Sequence, residues 1–198
     1  MTLCDLSKAF DSLLHDVLLE KLNRYGFRGV ALNFISSYLS NRYQKVVIKQ
    51  KNESSLDLIT CGVPQGSILG PLLFIIYMND LTWFFHNIST YLYADDTALL
   101  TSNNDLDTLL QMSEQALNKV STWFTANKLL LNKNKTQRCV FKYKTPVSAA
   151  EPVTSVKCLG IHIDNNLKWK THIDSICNRL SQILFLLRNV SILFCNID

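Results

Sequence analysis

Two aspartates stand side by side, Asp95-Asp96, between the short apolar runs Tyr91-Leu92-Tyr93-Ala94 and Thr97-Ala98-Leu99-Leu100. Short apolar runs bounded by polar residues read as strands, so the stretch predicts a β-hairpin with the two acids at its tip. Adjacent carboxylates repel, and keeping both ionised calls for a bound cation or another partner. The chemistry on offer is divalent-cation binding at the end of a rigid hairpin. The alternative is a turn in which aspartate supplies local hydrogen bonds. The choice depends on a third carboxylate and a substrate site elsewhere in the chain.

Two other stretches bear on it. Asp5 lies near the end of a predicted strand over 1–6, after which Ser7-Lys8-Ala9-Phe10-Asp11 turns away. Asp11 falls six residues past Asp5, where a local capping role fits better than a metal-ligating one. The second stretch is Gly62-Val63-Pro64-Gln65-Gly66-Ser67-Ile68-Leu69-Gly70-Pro71. Glycine permits close approach of backbone to a ligand, and Pro71 suits the first turn of a helix over 72–79. An ordinary loop-to-helix junction needs one glycine rather than three, so a ligand-facing loop is expected.

Among the elements that position these residues, helical spacing over 15–25 places Val17, Leu18, Leu22 and Tyr25 together, and a second helix carries Leu32, Ile35 and Leu39. A strand over 43–49 returns over 56–60 through a connection at Asn52-Glu53-Ser54-Ser55, decorated by Lys45, Lys49 and Lys51. After the acidic hairpin, Asn103-Asn104 caps a long helix with Leu106, Leu109, Leu110, Leu117, Val120, Trp123 and Phe124 inward. Leu129 to Leu131 leads into a basic turn over 132–136; a strand over 138–143, a loop over 145–154 and a strand pair around Gly160 follow. A helix over 167–187 closes the order, with Ile173, Ile176, Leu180, Ile183 and Leu187 inward. Mixed elements of this kind predict an α+β fold, an antiparallel sheet backed by helices on one face.

Composition sets the bounds. The chain has 198 residues, 47% hydrophobic and 18% charged, which is globular rather than disordered. Net charge is +4, but between Leu117 and Lys170 there are ten Lys or Arg and two acids. That asymmetry fits either a polyanion lying across the second half or a solvated basic face. The six cysteines form no Cys-x-x-Cys pair, so reduced thiols in an intracellular protein, nuclear or cytoplasmic, are expected. Cys158, His162, His172 and Cys177 have a loosely zinc-like spacing, but His162 sits in a strand between Ile161 and Ile163, and no zinc is expected. The apolar stretches over 68–85 and 180–197 are interrupted by polar residues and read as buried helices rather than membrane spans.

Three blocks in order, Asp5-Leu6-Ser7-Lys8-Ala9-Phe10-Asp11, Gly62-Val63-Pro64-Gln65-Gly66-Ser67 and Tyr93-Ala94-Asp95-Asp96, resemble the palm of a reverse transcriptase. The nearest likeness is to the non-long-terminal-repeat (LINE-type) retrotransposon enzymes. Lys157-Cys158-Leu159-Gly160, followed by Leu167-Lys168-Trp169 and His172-Ile173, resembles the next segment of that family. The resemblance implies a polymerase palm over residues 1–165 and the start of a thumb-like helical segment over 166–198. It implies nucleotidyl transfer, in which two metal ions about 3.5–4 Å apart activate a primer 3′-hydroxyl and neutralise the leaving pyrophosphate. By the same resemblance Asp5, Asp95 and Asp96 are the metal triad for Mg2+, with Mn2+ as a substitute, and Lys135 is a basic residue at the pyrophosphate. Phe10 would pack under the incoming sugar and favour deoxynucleotides. Gln65 and Gly66 would contact the nascent base pair and template backbone, Tyr93 and Ala94 the primer end, and Cys158, Leu159 and Gly160 the primer strand. Implied partners are an RNA template, a DNA primer and deoxynucleoside triphosphates. Asp5 comes four residues after the first position, so the fingers region that precedes this strand in the family is expected to be missing and the chain to be a fragment. Two functions remain open at this point: RNA-directed DNA synthesis, or a catalytically inactive retroelement remnant retaining at most nucleic-acid or metal binding.

Overall fold

The computed structural model describes residues 1–48, 52–85, 88–141 and 153–195. The chain forms two compact units, Thr2–Thr136 and Met1 with Gln137–Asp198.

In the first unit the order is β1 (Thr2–Cys4), β2 (Leu6–Ser7), a 3-10 turn (Ala9–Asp11), α1 (His15–Arg24), α2 (Gly29–Leu39), β3 (Tyr43–Gln44), β4 (Val47–Ile48), β5 (Asn52–Glu53), β6 (Asp57–Leu58), α3 (Leu69–Met78), a second 3-10 stretch (Asn79–Phe84), β7 (Ser89–Tyr93), β8 (Asp96–Leu100), α4 (Leu106–Ala126) and β9 (Leu130–Leu131). Strand β8 lies between β1 and β7, antiparallel to both. Alternation buries Thr2, Cys4, Thr97 and Leu99 on one face, the side-chain period of a strand. Helix α4 backs that face: Thr2 Oγ1 and Ser113 Oγ share a hydrogen bond of 3.0 Å, and Ala116, Val120 and Phe124 are fully buried in the same core as Leu99.

Helices α1, α3 and α4 meet at a buried lysine. Lys21 Nζ donates to Tyr77 O at 2.6 Å and Asp80 Oδ1 at 2.7 Å, and lies 4.7 Å from the ring centres of both Tyr77 and Trp123. Burial lowers the Lys21 pKa, against the pull of the Asp80 carboxylate, which favours the charged form. Tyr77 Oη donates to Asn127 O at 2.7 Å, closing the junction.

In the second unit β10 (Gln137–Arg138) is followed by β11 (Ser155–Cys158), β12 (Ile161–Asp164) and α5 (Lys170–Cys195). Strands β11 and β12 pair antiparallel from Ser155↔Asp164 to Cys158↔Ile161. Met1 is held by paired bonds with Cys139, its amine donating to Cys139 O at 2.8 Å and its carbonyl accepting from Cys139 N at 2.9 Å. The Asp164 carboxylate accepts from Thr171 N at 3.4 Å in the first turn of α5.

Five features lie elsewhere than the sequence pattern suggests. Asn52-Glu53 is not a connection but strand β5, paired with β4. The registers Gln44↔Asp57 and Val47↔Glu53 differ by one residue, so the ribbon carries a bulge between them. Both faces of this ribbon are exposed, so no buried face marks its strands in the sequence. Helix α3 begins at Leu69, three residues before the expected start, with Ser67 Oγ accepting from Gly70 N at 3.0 Å. Pro71 still fits, since the first four amides of a helix have no intrahelical partner. The α4 cap is Asp105, not Asn103-Asn104; it accepts from Thr108 N at 2.8 Å. The last helix starts at Lys170 rather than 167, and its stripe, expected to be buried, is exposed at Ile173, Ile176, Leu180, Ile183 and Leu187. Lys49, Lys51, Tyr143 and most of the loop over 145–154 lie outside the described residues. Among the described residues no helix is long and apolar enough to cross a membrane.

Candidate active site

Strand register gathers the acids. The β1–β8 ladder ends at Cys4↔Thr97, so the next step places Asp5 opposite Asp96, which is also the closing partner of Tyr93 in the β7–β8 hairpin. The turn of that hairpin is two residues, Ala94 and Asp95, and Ala94 takes φ +50°, the positive value that primed hairpin turns require. Asp96 therefore belongs to the strand and Asp95 to the turn, a sharper placement than two acids at one tip. The Asp96 carboxyl is held above its ordinary pKa by partial burial first, then by the negative charges of Asp95 and Asp5.

Lys135 joins this group from 130 residues away in sequence, with Nζ 3.9 Å from Asp5 Oδ2. Local backbone bonds account for its place. Asn132 N donates to Asp5 O at 2.8 Å, directly after the β2–β9 pairs Leu6↔Leu131 and Ser7↔Leu130. Lys135 N and Thr136 N then close the turn onto Asn132 O at 3.2 and 2.9 Å.

The donor set suits a hard divalent cation. Among the described residues no group of three or more His, Cys, Asp or Glu side chains is drawn together tightly enough to enclose an ion. Magnesium does not demand such a cage; it takes one or two carboxylates, water and substrate phosphates. Burial is the larger cause of the rise at Asp96; the repulsion that Asp95 and Asp5 add to it is the part a cation would offset.

A cleft of about 700 Å³ lies over the glycine loop, lined in part by Lys8, Asp11, Arg42, Gly62, Pro64 and Gln65. The loop is fastened to the residues after Asp5: Val63 N donates to Phe10 O at 2.9 Å, Gly62 N to Leu13 O at 2.7 Å, and Gly62 O lies 2.8 Å from His15 Nε2. Gly62 has φ +81°, and a Cβ there would stand 2.8 Å from Asp11 Cα, so only glycine fits. Gln65 Nε2 donates to Asp11 Oδ1 at 2.8 Å. Gly66 follows in the exposed part of the loop with φ +80°. The half-buried Phe10 ring stacks on Phe74 of α3, centroids 4.5 Å apart at 29°, which fixes its plane.

Tyr93 is 68% exposed on the open face of the sheet beside Ala94. Cys158, Leu159 and Gly160 form the tip of the second unit's hairpin, with Leu159 at φ +48° and Gly160 at φ +85°, both signs that a type I′ turn needs. His162 and His172 of that unit have ring centroids 6.3 Å apart.

Structure thus brings Asp5, Asp95, Asp96 and Lys135 together, and sets Gln65 with Phe10's neighbour Asp11. Asp11, expected to cap locally, instead accepts at its carboxylate from a side chain 54 positions away. In the sequence only its adjacency to Phe10 marks it. His15 and Asn132, which hold the loop and the lysine turn, carried no signal at all.

The profile of the family described as reverse transcriptase (RNA-dependent DNA polymerase) matches residues 1–163. The probable RNA-directed DNA polymerase from transposon BS of Drosophila melanogaster is 31% identical over 93% of this chain and 22% of its own length. The RNA-directed DNA polymerase from mobile element jockey of the same species is 27% identical over 87% of this chain and 20% of its own length. The chain spans about a fifth of these relatives. Among solved structures, telomerase from Candida albicans superposes with a TM-score of 0.59 at 15% identity, over 84% of this chain and 30% of that one, a likeness of fold. With the match running through both the acidic hairpin and the glycine loop, the chain belongs to the reverse transcriptase family.

Proposed function

We propose that this chain is the palm, over residues 1–165, and the first thumb-like segment, over 166–198, of an RNA-directed DNA polymerase that extends a DNA primer on an RNA template with deoxynucleoside triphosphates. The observation that carries the reading is the strand register that sets Asp5 opposite Asp96, with Asp95 next to it in the turn. Asp5, Asp95 and Asp96 would hold two divalent cations, Mg2+ or in its place Mn2+. Those ions, when bound, supply activation of the primer 3′-hydroxyl and charge neutralisation at the α-phosphate and pyrophosphate.

The protein's own groups do the positioning. Lys135, mostly exposed beside Asp5, steadies the departing pyrophosphate by its charge. Phe10, its plane fixed by Phe74, packs under the sugar and crowds a 2′-hydroxyl. Gln65 and Gly66 face the nascent base pair, and Tyr93 and Ala94 the primer end. Cys158, Leu159 and Gly160 make a hairpin tip that grips the primer strand. Lysines and arginines concentrated after Leu117 give the electrostatic attraction that dominates nucleic-acid affinity. Such a protein would work inside the cell, in nucleus or cytoplasm.

Primer extension tests this on the purified chain, with an RNA template, a DNA primer, magnesium and deoxynucleotides. Incorporation is expected, and Asp95→Ala should abolish it. A wild-type chain that binds primer–template yet adds no nucleotide would leave it a binding remnant. Equal use of ribonucleotides would remove the role given to Phe10.

A further inference from the structure

We propose that Asp11 is a positioning residue for the nucleotide site, acting through Gln65. The inference rests on the proposed role of Gln65 at the nascent base pair.

An ionised carboxylate only accepts hydrogen bonds, while a glutamine amide offers a donor end and an acceptor end. With Asp11 Oδ1 at 2.8 Å, the NH2 end of Gln65 must face the acid. That choice leaves Oε1 and the second N–H for a ligand in the cleft both residues line. The orientation is useful only if Asp11 is itself fixed. It closes a 3-10 turn, its amide donating to Lys8 O at 2.9 Å, and its Cα rests against Gly62 so closely that no side chain fits there. Val63 N donates to Phe10 O and Gly62 N to Leu13 O, and Gly62 O meets His15 Nε2, which ties down the start of the loop. Asp11 and the start of the loop that carries Gln65 are therefore set by backbone.

Stability does not explain the contact. Both side chains are exposed, and exposed pairs contribute little to folding. Electrostatics argues against it as well. Lys8 and Arg42 line the same cleft, and an acid beside them weakens any attraction to phosphates. Orienting Gln65 gives the acid a purpose that neither stability nor charge supplies.

The sign of the effect makes the test. Loss of a surface acid should tighten nucleic-acid binding if charge alone matters; loss of a positioning residue should weaken it. Affinity for a labelled DNA primer–RNA template is measured by anisotropy for the full chain and for Asp11→Ala, Gln65→Ala and the double variant. The expected result is a loss of about three- to tenfold in each single variant, the size of one directed hydrogen bond, with the double variant no weaker than Gln65→Ala. Asp11→Asn, which can still accept through Oδ1, should recover part of the loss. Binding by Asp11→Ala as tight as wild type or tighter, or losses that multiply in the double variant, would overturn the proposal. The side-chain NH2 signals of Gln65 in nitrogen-15 spectra separate the two layers. If the wild-type chain binds no primer–template, the nucleic-acid reading fails; Asp11→Ala must still shift those signals, and an unchanged pair of resonances overturns the contact itself.

Discussion

Helices α4 and α5 carry the same kind of apolar stripe to opposite ends. In α4, Ala116, Val120 and Phe124 have no exposed surface, and Trp123 keeps 6%. In α5, Leu180, Ile183, Leu184 and Leu187 are each more than half exposed. The difference lies in what each helix is tied to. α4 is bonded to β1 through Thr2 and Ser113 and leads into β9, which pairs with β2 beside Asp5. α5 touches its own unit mainly where it meets β12 at its start. Periodicity says which side of a helix is apolar; what covers that side is decided by elements distant in sequence.

Core truncation should break this comparison most forcefully if it is wrong. Phe124→Ala is expected to cost about 3–5 kcal/mol in urea unfolding, the range for a large buried side chain. A smaller effect is expected at the α4 cap. The Thr108 hydroxyl at 2.6 Å, and then its backbone amide at 2.8 Å, hold the Asp105 carboxyl below the ordinary carboxylate pKa. A lowered folded-state pKa means stability that is present above the unfolded value, about 4, and lost as pH falls through the folded one. Asp105→Ala should therefore lower Tm at pH 7, with the gap to wild type closing as pH falls well below 4. Smallest of all, Leu184→Ala on α5 should change unfolding by less than about 0.5 kcal/mol. A loss there approaching that of Phe124→Ala would mean that the α5 stripe is covered in solution.

Much of the site was legible because its chemistry is carried by short blocks. Asp5, the Gly62 loop and Asp95-Asp96 could each be picked out by residue type, and strand register then placed Asp5 against Asp96. What could not be read were contacts made by unremarkable residues across long separations. Asn132 anchors the Lys135 turn through the backbone of Asp5, and Asp11 reaches Gln65, and no local pattern encodes either. The fold divides in the same way. Buried faces of α1 and α4 and the acidic hairpin follow from periodicity. The β4–β5 pairing does not, because a ribbon open on both faces writes no alternation into its sequence.

The fit of Gly62 against Asp11 has a consequence for inheritance. Every missense change at the first or second base of a glycine codon drives a Cβ into backbone 2.8 Å away here. The carboxylates can be surveyed by their charge, but Gly62 is a silent point of failure. Related sequences that drift at this codon would lose the seat of the loop while their acidic hairpin still looked intact.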